Sequence, residues 1–312
     1  MLKSFIFESA PFASCHASTI VETAPGELLA AWFGGSREGA PDVAIWGSRF
    51  AGGAWSAPDV LADEPEAPCW NPVLFRERSG RLFLFYKAGP SPQAWSGLFR
   101  VREAGASAWS EPSILPAGIL GPIKNKPIQL ATGRIVSGTS VESYRAWSAW
   151  LEISDDGGVT WRRSGPITVP GEPRGVIQPT LFDTAAGGLR MLLRSTLRVG
   201  RICVADSHDN GETWSDARVT DLPNPNSGID AARLVDGHVI LCHNPVERGR
   251  TPLVLSLSED DGGTWREVAT LESEPGEYSY PAIIQGADGS IHVTYTWRRE
   301  RIAYAMLRPS EL

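Results

Sequence analysis

A short motif recurs three times along the chain and constrains the fold more than any other feature. The pattern Ser-x-Asp-x-Gly-x-Thr-Trp ends at Trp161, Trp214 and Trp265, and degenerate copies end at Trp55 and Trp109. These five tryptophans are successively 54, 52, 53 and 51 residues apart. A fixed period of this length indicates a repeat architecture in which each supersecondary unit packs on the next.

Each copy of the motif has the composition of a hairpin turn. The Asp side chain can accept hydrogen bonds from backbone N–H groups, the Gly can adopt a positive φ, and the Trp can pack between neighbouring sheets. Between the copies, strand patterns such as GELLAAWFG, RLFLFYKAG and HVILCHNP alternate with turns, and no helical period appears. About four short strands per unit predict an all-β protein, a β-propeller.

The period also predicts the number of blades. A sixth tryptophan would fall just beyond the C-terminus, so closure of the chain ends must complete the last blade. The segment 278–307 can supply three strands and the segment 3–7 a fourth, which removes two exposed sheet edges. We expect one domain over residues 1–312, a six-bladed propeller of four-stranded blades; seven shorter blades are the alternative.

Composition limits the partners. The net charge is −7 and no basic run is present, which argues against a nucleic-acid partner. No apolar run approaches the roughly 20 residues of a spanning helix, so no membrane partner is expected. Glu8 interrupts the short apolar stretch at the N-terminus, which makes a poor signal peptide. We expect a cytoplasmic protein, with a removed leader as the alternative; oligomeric state is not indicated.

The positions of the cysteines and the known ligand-binding motifs bear on whether the chain binds a metal or a cofactor. Four cysteines stand far apart in apolar contexts, at Cys15, Cys69, Cys203 and Cys242. We expect them to be small buried side chains, with a zinc site or disulfides as the alternative. The chain has no H-x-x-x-H motif, carboxylate cluster or Gly-rich phosphate loop, which predicts no metal site and no organic cofactor. A structural Ca²⁺ site is the alternative.

The repeated motifs resemble the Asp boxes, or BNR repeats, of sialidases, and the whole chain resembles the six-bladed sialidase-like propellers. Asp boxes carry no chemistry, so function must be inferred from other residues. The resemblance implies three arginines that hold a substrate carboxylate, an Asp that protonates the leaving group, and a Tyr nucleophile whose proton passes to a Glu. Four positions match this pattern: Asp42 resembles the acid, Arg194 and Arg250 the second and third arginines, and Tyr278 the nucleophile.

Two positions depart from the pattern. Cys15 or His16 stands where the first arginine is expected, and Gln178 stands where the Glu is expected. An amide cannot accept the proton of a Tyr whose pKa is about 10, so Tyr278 lacks its expected base. His16 and His243 can titrate near neutrality and are candidate replacements. In this respect the chain resembles propeller enzymes that act on rhamnosyl-glucuronate and other uronate ends.

Polar strings precede several apolar strands, where they can form a sugar site beside an aromatic face. Turn chemistry is the alternative explanation for these Asn-Pro and Gly-Pro strings. The predicted substrate-binding residues are Arg194, Arg250, Gln178, Trp70, Asn71, Lys124, Lys126 and Asn226. The predicted catalytic residues are His16, Asp42, Tyr278 and His243, whereas His208, His238 and His292 are expected on the surface.

Three function classes follow from these residues. The first is a sialidase-like exo-glycoside hydrolase that cleaves a terminal bond of an acidic, uronate- or sialate-like saccharide. The second is a uronate-specific lyase, in which a base such as His or Tyr removes the α-proton while cations neutralise the carboxylate. The third is a non-catalytic glycan-binding propeller. In each case the expected partner is a small acidic saccharide or a glycan end.

Overall fold

The computed structural model describes residues 1–312 and contains 25 β-strands, one short 3-10 turn at Pro309–Glu311 and no α-helix. The strands form six antiparallel sheets, which are the blades of a six-bladed β-propeller. Five sheets have four strands; in the remaining one the outer strand is split in two, so five strands are counted. The predicted fold is confirmed, and the alternative of seven blades is wrong.

Contacts divide the chain into two compact units, which are described separately: Met1–Lys124 with Tyr280–Glu311, and Asn125–Ser279 with Leu312. The expectation of a single domain therefore stays a prediction.

In the first unit, blade 1 contains β2 (Ser14–Ala24), β3 (Glu27–Gly35), β4 (Ala44–Ala51), β5 (Ala54–Trp55) and β6 (Asp59–Ala62). Blade 2 contains β7 (Cys69–Arg76), β8 (Leu82–Ala88), β9 (Ser96–Arg102) and β10 (Ser113–Ile114). Blade 6 contains β23 (Tyr278–Gln285), β24 (Ile291–Trp297), β25 (Arg301–Leu307) and β1 (Leu2–Phe5).

The second unit contains the other three blades. Blade 3 contains β11 (Ile128–Gln129), β12 (Ile135–Glu142), β13 (Trp147–Ser154) and β14 (Arg162–Ile167). Blade 4 contains β15 (Val176–Asp183), β16 (Leu189–Ser195), β17 (Arg201–Ser207) and β18 (Arg218–Pro223). Blade 5 contains β19 (Asp230–Arg233), β20 (Val239–His243), β21 (Leu253–Ser258) and β22 (Arg266–Glu272).

The two chain ends meet in blade 6. Strand β1 pairs antiparallel with β25, from Leu2 opposite Met306 to Phe5 opposite Ala303. This pairing satisfies the backbone groups along the edge of β25 that would otherwise be exposed. The predicted closure of the last blade by the N-terminal strand is confirmed.

The three complete Asp boxes form identical turns. In blade 4 the Ser207 hydroxyl donates to Asp209 Oδ1 (2.8 Å), the backbone N–H of Thr213 donates to the same oxygen (2.9 Å), and the Trp214 indole donates to the Gly211 carbonyl (3.0 Å). The hydroxyl and backbone N–H of Thr213 lower the pKa of Asp209 to about 2. These bonds confirm the predicted role of each residue type in the turn.

The core lies between the packed blades. Trp214 packs against a cluster that combines Val136 and Leu151 of blade 3 with Met191 and Leu193 of blade 4. The four cysteines form no disulfide and are fully buried, as predicted, and burial raises the pKa of the Cys203 thiol to about 12. No helix is long and apolar enough to cross a membrane. No group of three or more His, Cys, Asp or Glu side chains is placed to hold a metal ion.

Candidate functional site

One backbone feature recurs once in every blade, at or just before its first strand. A residue other than glycine adopts a positive φ there, between 40° and 76°, and the six residues are Ala17, Asn71, Lys124, Gln178, Asn226 and Tyr280. The β-pairing register shifts at this point in blades 1, 2 and 4. Left-handed conformations of such residues cost energy and concentrate at functional sites. These six residues, called the bulge positions below, are therefore candidate functional positions, four in the first unit and two in the second.

In the second unit, two bulge positions hold an arginine. Arg194 on β16 is 7% exposed; its Nη1 donates to Oε1 of Gln178 and its Nε donates to Oδ1 of Asn226, both at 3.0 Å. Both partners are neutral amides, so they orient the guanidinium without neutralising its charge. The planar donor array of an arginine held in this way suits a carboxylate ligand.

Arg250 lies in the loop between β20 and β21 of blade 5. Its Nη1 donates to Glu277 Oε1 at 2.7 Å and to Ser279 Oγ at 3.1 Å. This guanidinium forms an ion pair with a carboxylate of the same unit. That Arg194 and Arg250 hold one ligand carboxylate stays a prediction.

Lys126 contacts protein groups that explain its position. Its Nζ donates to Asp230 Oδ2 at 2.9 Å and to the Ala231 carbonyl at 3.0 Å, and Asp230 also accepts a hydrogen bond from the Thr180 hydroxyl at 2.7 Å. Asp230 is 1% exposed. A buried ion pair that links blade segments accounts for Lys126, so its predicted substrate contact gains no support.

His243 is an interior residue of blade 5. The imidazole is 1% exposed, its Nε2 lies 3.0 Å from Ser256 Oγ, and its Nδ1 has no partner. Burial lowers the pKa of His243 to about 4, because the charged form is desolvated. This geometry is that of a neutral core histidine, and it gives no support to the predicted catalytic role.

In the first unit, His16 lies beside a bulge position. The imidazole is 2% exposed, its Nδ1 lies 2.9 Å from Thr296 Oγ1, and its ring centroid lies 4.1 Å from that of Tyr280. Thr296 also accepts a hydrogen bond from the Ala17 backbone N–H at 3.2 Å. A threonine on β24 therefore orients the ring against a tyrosine phenol.

Tyr278 and Tyr280 differ in their surroundings. The Tyr278 ring is 1% exposed and lies so close to Gly276 that a Cβ there would come within 2.8 Å of it. Tyr280 has a φ of 52° and precedes Pro281, just as Gln178 precedes Pro179 in blade 4. Tyr280 thus occupies in blade 6 the place that Gln178 occupies in blade 4, and it replaces Tyr278 as the stronger candidate nucleophile or base.

Three other predicted residues of the first unit have structural contacts. Asp42 is exposed, and its two oxygens accept hydrogen bonds from the backbone N–H and hydroxyl of Ser36, both at 2.9 Å. Trp70 is 7% exposed and lies beneath Gly39, where a Cβ would come within 3.1 Å of the ring, so a sugar platform is not favoured. Lys124 is buried and its Nζ donates to the Pro281 carbonyl.

Asn71 and the remaining histidines complete the predicted set. Asn71 occupies the bulge position of blade 2 and is 6% exposed. His208 is exposed, as expected. The expectation for His292 is wrong: it is 6% exposed, and its Nδ1 lies 2.8 Å from the Tyr304 hydroxyl. A turn glycine next to a strand does not reveal which face of that strand the histidine occupies.

The sequence matches one family model over most of its length. Residues 26–293 match the BNR repeat-like domain. The chain belongs to the BNR repeat-like family. No curated protein matches its sequence at a significant level.

Solved structures similar to this BNR repeat-like protein share its fold at low sequence identity. A Dyadobacter fermentans protein of unknown function is 18% identical with a TM-score of 0.83, covering 98% of this chain and 97% of the other. A Hadza microbial sialidase is 17% identical with a TM-score of 0.80, covering 96% of this chain and 66% of the other. The intramolecular trans-sialidase of Ruminococcus gnavus, solved with oseltamivir carboxylate, is 14% identical with a TM-score of 0.76, covering 96% and 95%. The fold is that of the sialidase-like superfamily.

Sequence reasoning missed two candidate residues of this BNR repeat-like protein. Tyr280 could have been found from the X-Pro pairs at Asn71, Gln178 and Tyr280, which recur at about twice the blade period, in every second blade. Glu142, the last residue of β12, carries a carboxyl whose pKa is raised by burial and lowered in part by the charge of Arg194. Nothing in the local sequence SVESY distinguishes it from a surface glutamate.

Proposed function

We propose that this chain is a carbohydrate-active enzyme that hydrolyses the terminal glycosidic bond of an acidic, sialate- or uronate-like saccharide. The observation that carries the proposal is the nearly buried Arg194, which Gln178 and Asn226 orient through neutral amide oxygens. Two amide oxygens fix the plane of this guanidinium, which preorganises it for a planar anion. A sugar carboxylate supplies the matching charge and the planar, bidentate geometry.

The fold supports the same class of substrate. The Ruminococcus gnavus trans-sialidase of similar fold was solved with a ligand named as a carboxylate. Arg250, on the neighbouring blade 5 of the same unit, adds a second guanidinium held by Glu277 and Ser279. Two oriented guanidinium groups on adjacent blades favour an anionic over a neutral sugar.

Two residues of the first unit, His16 and Tyr280, bear on how the glycosidic bond would be cleaved. A phenol needs a base to become a nucleophile, and the amide of Gln178 cannot serve. His16 lies against Tyr280, with its Nδ1 held by Thr296. His16, whose ring packs on that of Tyr280, is therefore our candidate proton acceptor for this tyrosine.

The same pair favours a uronate lyase as the second candidate function. In β-elimination the base removes the proton next to the sugar carboxylate, and a nearby cation stabilises the carbanion-like transition state. His16 or Tyr280 would be the base, and the buried Lys124 beside Pro281 would be the cation. A non-catalytic glycan-binding propeller is the third candidate.

A product assay separates the three. The purified protein is incubated with aryl glycosides of N-acetylneuraminate and glucuronate, and with a rhamnosyl-glucuronate oligosaccharide. A hydrolase releases the aryl alcohol or a reducing sugar, whereas a lyase forms an unsaturated uronate that absorbs in the near ultraviolet. Calorimetric binding of the free acids without turnover would support the non-catalytic class and contradict our proposal.

A further inference from the structure

Glu142 lies at the end of β12 and is half-buried. Burial raises the pKa of its carboxyl above the ordinary range for glutamate, and the charge of Arg194 opposes this rise. The interaction with Arg194 is one of charge rather than a hydrogen bond. The carboxyl group therefore lies near the predicted anion site of the second unit without forming part of its hydrogen-bonded framework.

One face of β12 is directed towards blade 4. Side chains alternate along a strand, so Gly138, Ser140 and Glu142 share a face. A Cβ on Gly138 would come within 2.6 Å of Pro179 Cγ, and the Ser140 hydroxyl accepts a hydrogen bond from the Gln178 backbone N–H at 2.7 Å. Glu142 is the next residue on this face, which explains why the charge of Arg194 reaches it.

Other charged side chains near Glu142 are directed to solvent. Arg145, in the loop that follows β12, and Arg174, which forms a bridge with Trp147, are both exposed. Arg194 is therefore the cation that acts on the carboxyl from a packed element. When a ligand carboxylate binds to Arg194, the nearby negative charge favours the protonated form of Glu142 further. A carboxyl whose protonated form is favoured by burial and by a bound anion is suited to donate its proton.

We propose that Glu142 is the general acid of the site, which donates its proton to the glycosidic oxygen of the substrate. The proposal rests on the proposed hydrolase function. As the bond between the anomeric carbon and the glycosidic oxygen breaks, the Glu142 proton moves to that oxygen and the leaving saccharide departs as an alcohol. Water then supplies a hydroxyl to the anomeric carbon, and its remaining proton returns to the Glu142 carboxylate. Asp42, whose two oxygens are already engaged by Ser36, is the competing candidate.

The test compares two leaving groups. A saccharide leaving group needs protonation, whereas 4-nitrophenol departs as an anion without it. The variant Glu142→Gln keeps the shape of the side chain and removes its proton. We expect kcat/KM for an acidic disaccharide to fall roughly 10²–10⁴-fold, the range for loss of an acid–base group, while that for the 4-nitrophenyl glycoside falls less than about tenfold.

Two further variants serve as controls for Glu142→Gln. Glu259→Gln removes an exposed carboxylate of the Asp box in blade 5 and should leave both rates unchanged, and Asp42→Asn tests the competing acid. Equal effects of Glu142→Gln on the two substrates, or no effect, would overturn the assignment while the hydrolase function stands. A selective loss with Asp42→Asn alone would transfer the role to Asp42. A parent protein inactive on both substrates would overturn the hydrolase function itself.

Discussion

Oε1 of Gln178 accepts a hydrogen bond from Nη1 of Arg194 at 3.0 Å, and both side chains are almost completely buried. A glutamate at this position, which the resemblance to sialidases predicts, would pair its charge with that of the arginine. The amide instead orients the guanidinium through an uncharged oxygen. Glutamine in place of glutamate thus removes a carboxylate base and keeps the guanidinium oriented, as the proposed anion site requires.

This relationship predicts the effect of restoring the carboxylate. Gln178→Glu should weaken binding of N-acetylneuraminate or glucuronate by about 10–100-fold, because hydrogen bonds to charged groups are worth about 1.5–3 kcal/mol. Isothermal titration calorimetry gives the Kd. Gln285→Glu, at a half-buried glutamine of blade 6, is the control. Unchanged affinity in Gln178→Glu would contradict an anion site at Arg194.

The two tyrosines of blade 6 should respond differently to loss of the hydroxyl. We expect Tyr280→Phe to lower kcat by roughly 10²–10⁴-fold, because Tyr280 occupies the bulge position and contacts His16. Tyr278→Phe should retain kcat within a few-fold, since its ring packs on Gly276. Steady-state kinetics with the substrate that the parent protein turns over give kcat for both variants and decide between the two tyrosines. The reverse result would return the role to Tyr278.

Loss of His16 should affect turnover more than folding. His16→Ala is expected to lower kcat by roughly 10²–10⁴-fold, because it removes the base held against Tyr280. The melting temperature, followed by circular dichroism, reports whether the fold survives. His208→Ala, an exposed change in an Asp box, is the matched control. Full activity of a folded His16→Ala protein would exclude the histidine from catalysis.

Lys126 should matter for stability. Lys126→Met leaves the Asp230 carboxylate buried without its cation, a change that typically costs about 3–5 kcal/mol. The lower end is expected, because the Lys126 side chain is 23% exposed and Asp230 retains the Thr180 hydroxyl. Urea denaturation measures the free energy of unfolding. Adding Asp230→Asn should recover part of the loss; wild-type stability with weaker saccharide binding would instead support the substrate role.

The Asp boxes should make stability depend on acidity. The pKa of Asp209 is about 2 in the folded protein, below the value of about 3.9 for an unfolded Asp. Its ionised form therefore stabilises the fold above about pH 4, and this contribution is lost as the pH falls through about 2. Asp209→Asn should be less stable than the parent at neutral pH, with a difference that shrinks in acid. Urea unfolding at several pH values tests this; a constant difference would contradict it.

The repeat period determined the architecture without any structure. Each Asp box forms its hydrogen bonds within eight residues, from Ser207 to Trp214 in blade 4, so its turn could be predicted locally. The five tryptophans then set the strand count and required the N-terminal strand to complete blade 6. Local turns repeated at a fixed spacing leave few alternatives for the fold.

The roles of the site residues depend on contacts between distant parts of the chain. The resemblance selected Arg194 and Gln178, but only the fold brought Asn226 to that arginine and Asp230 to Lys126. Whether a side chain is buried or reaches a partner from another blade depends on strand register and bulges. A register shift of one residue turns a side chain to the opposite face of its strand. Register and bulges are therefore fixed by the packing between blades. The sequence therefore determined the propeller and most of the candidate residues, while the tertiary structure separated Tyr280 from Tyr278 and brought Glu142 towards Arg194.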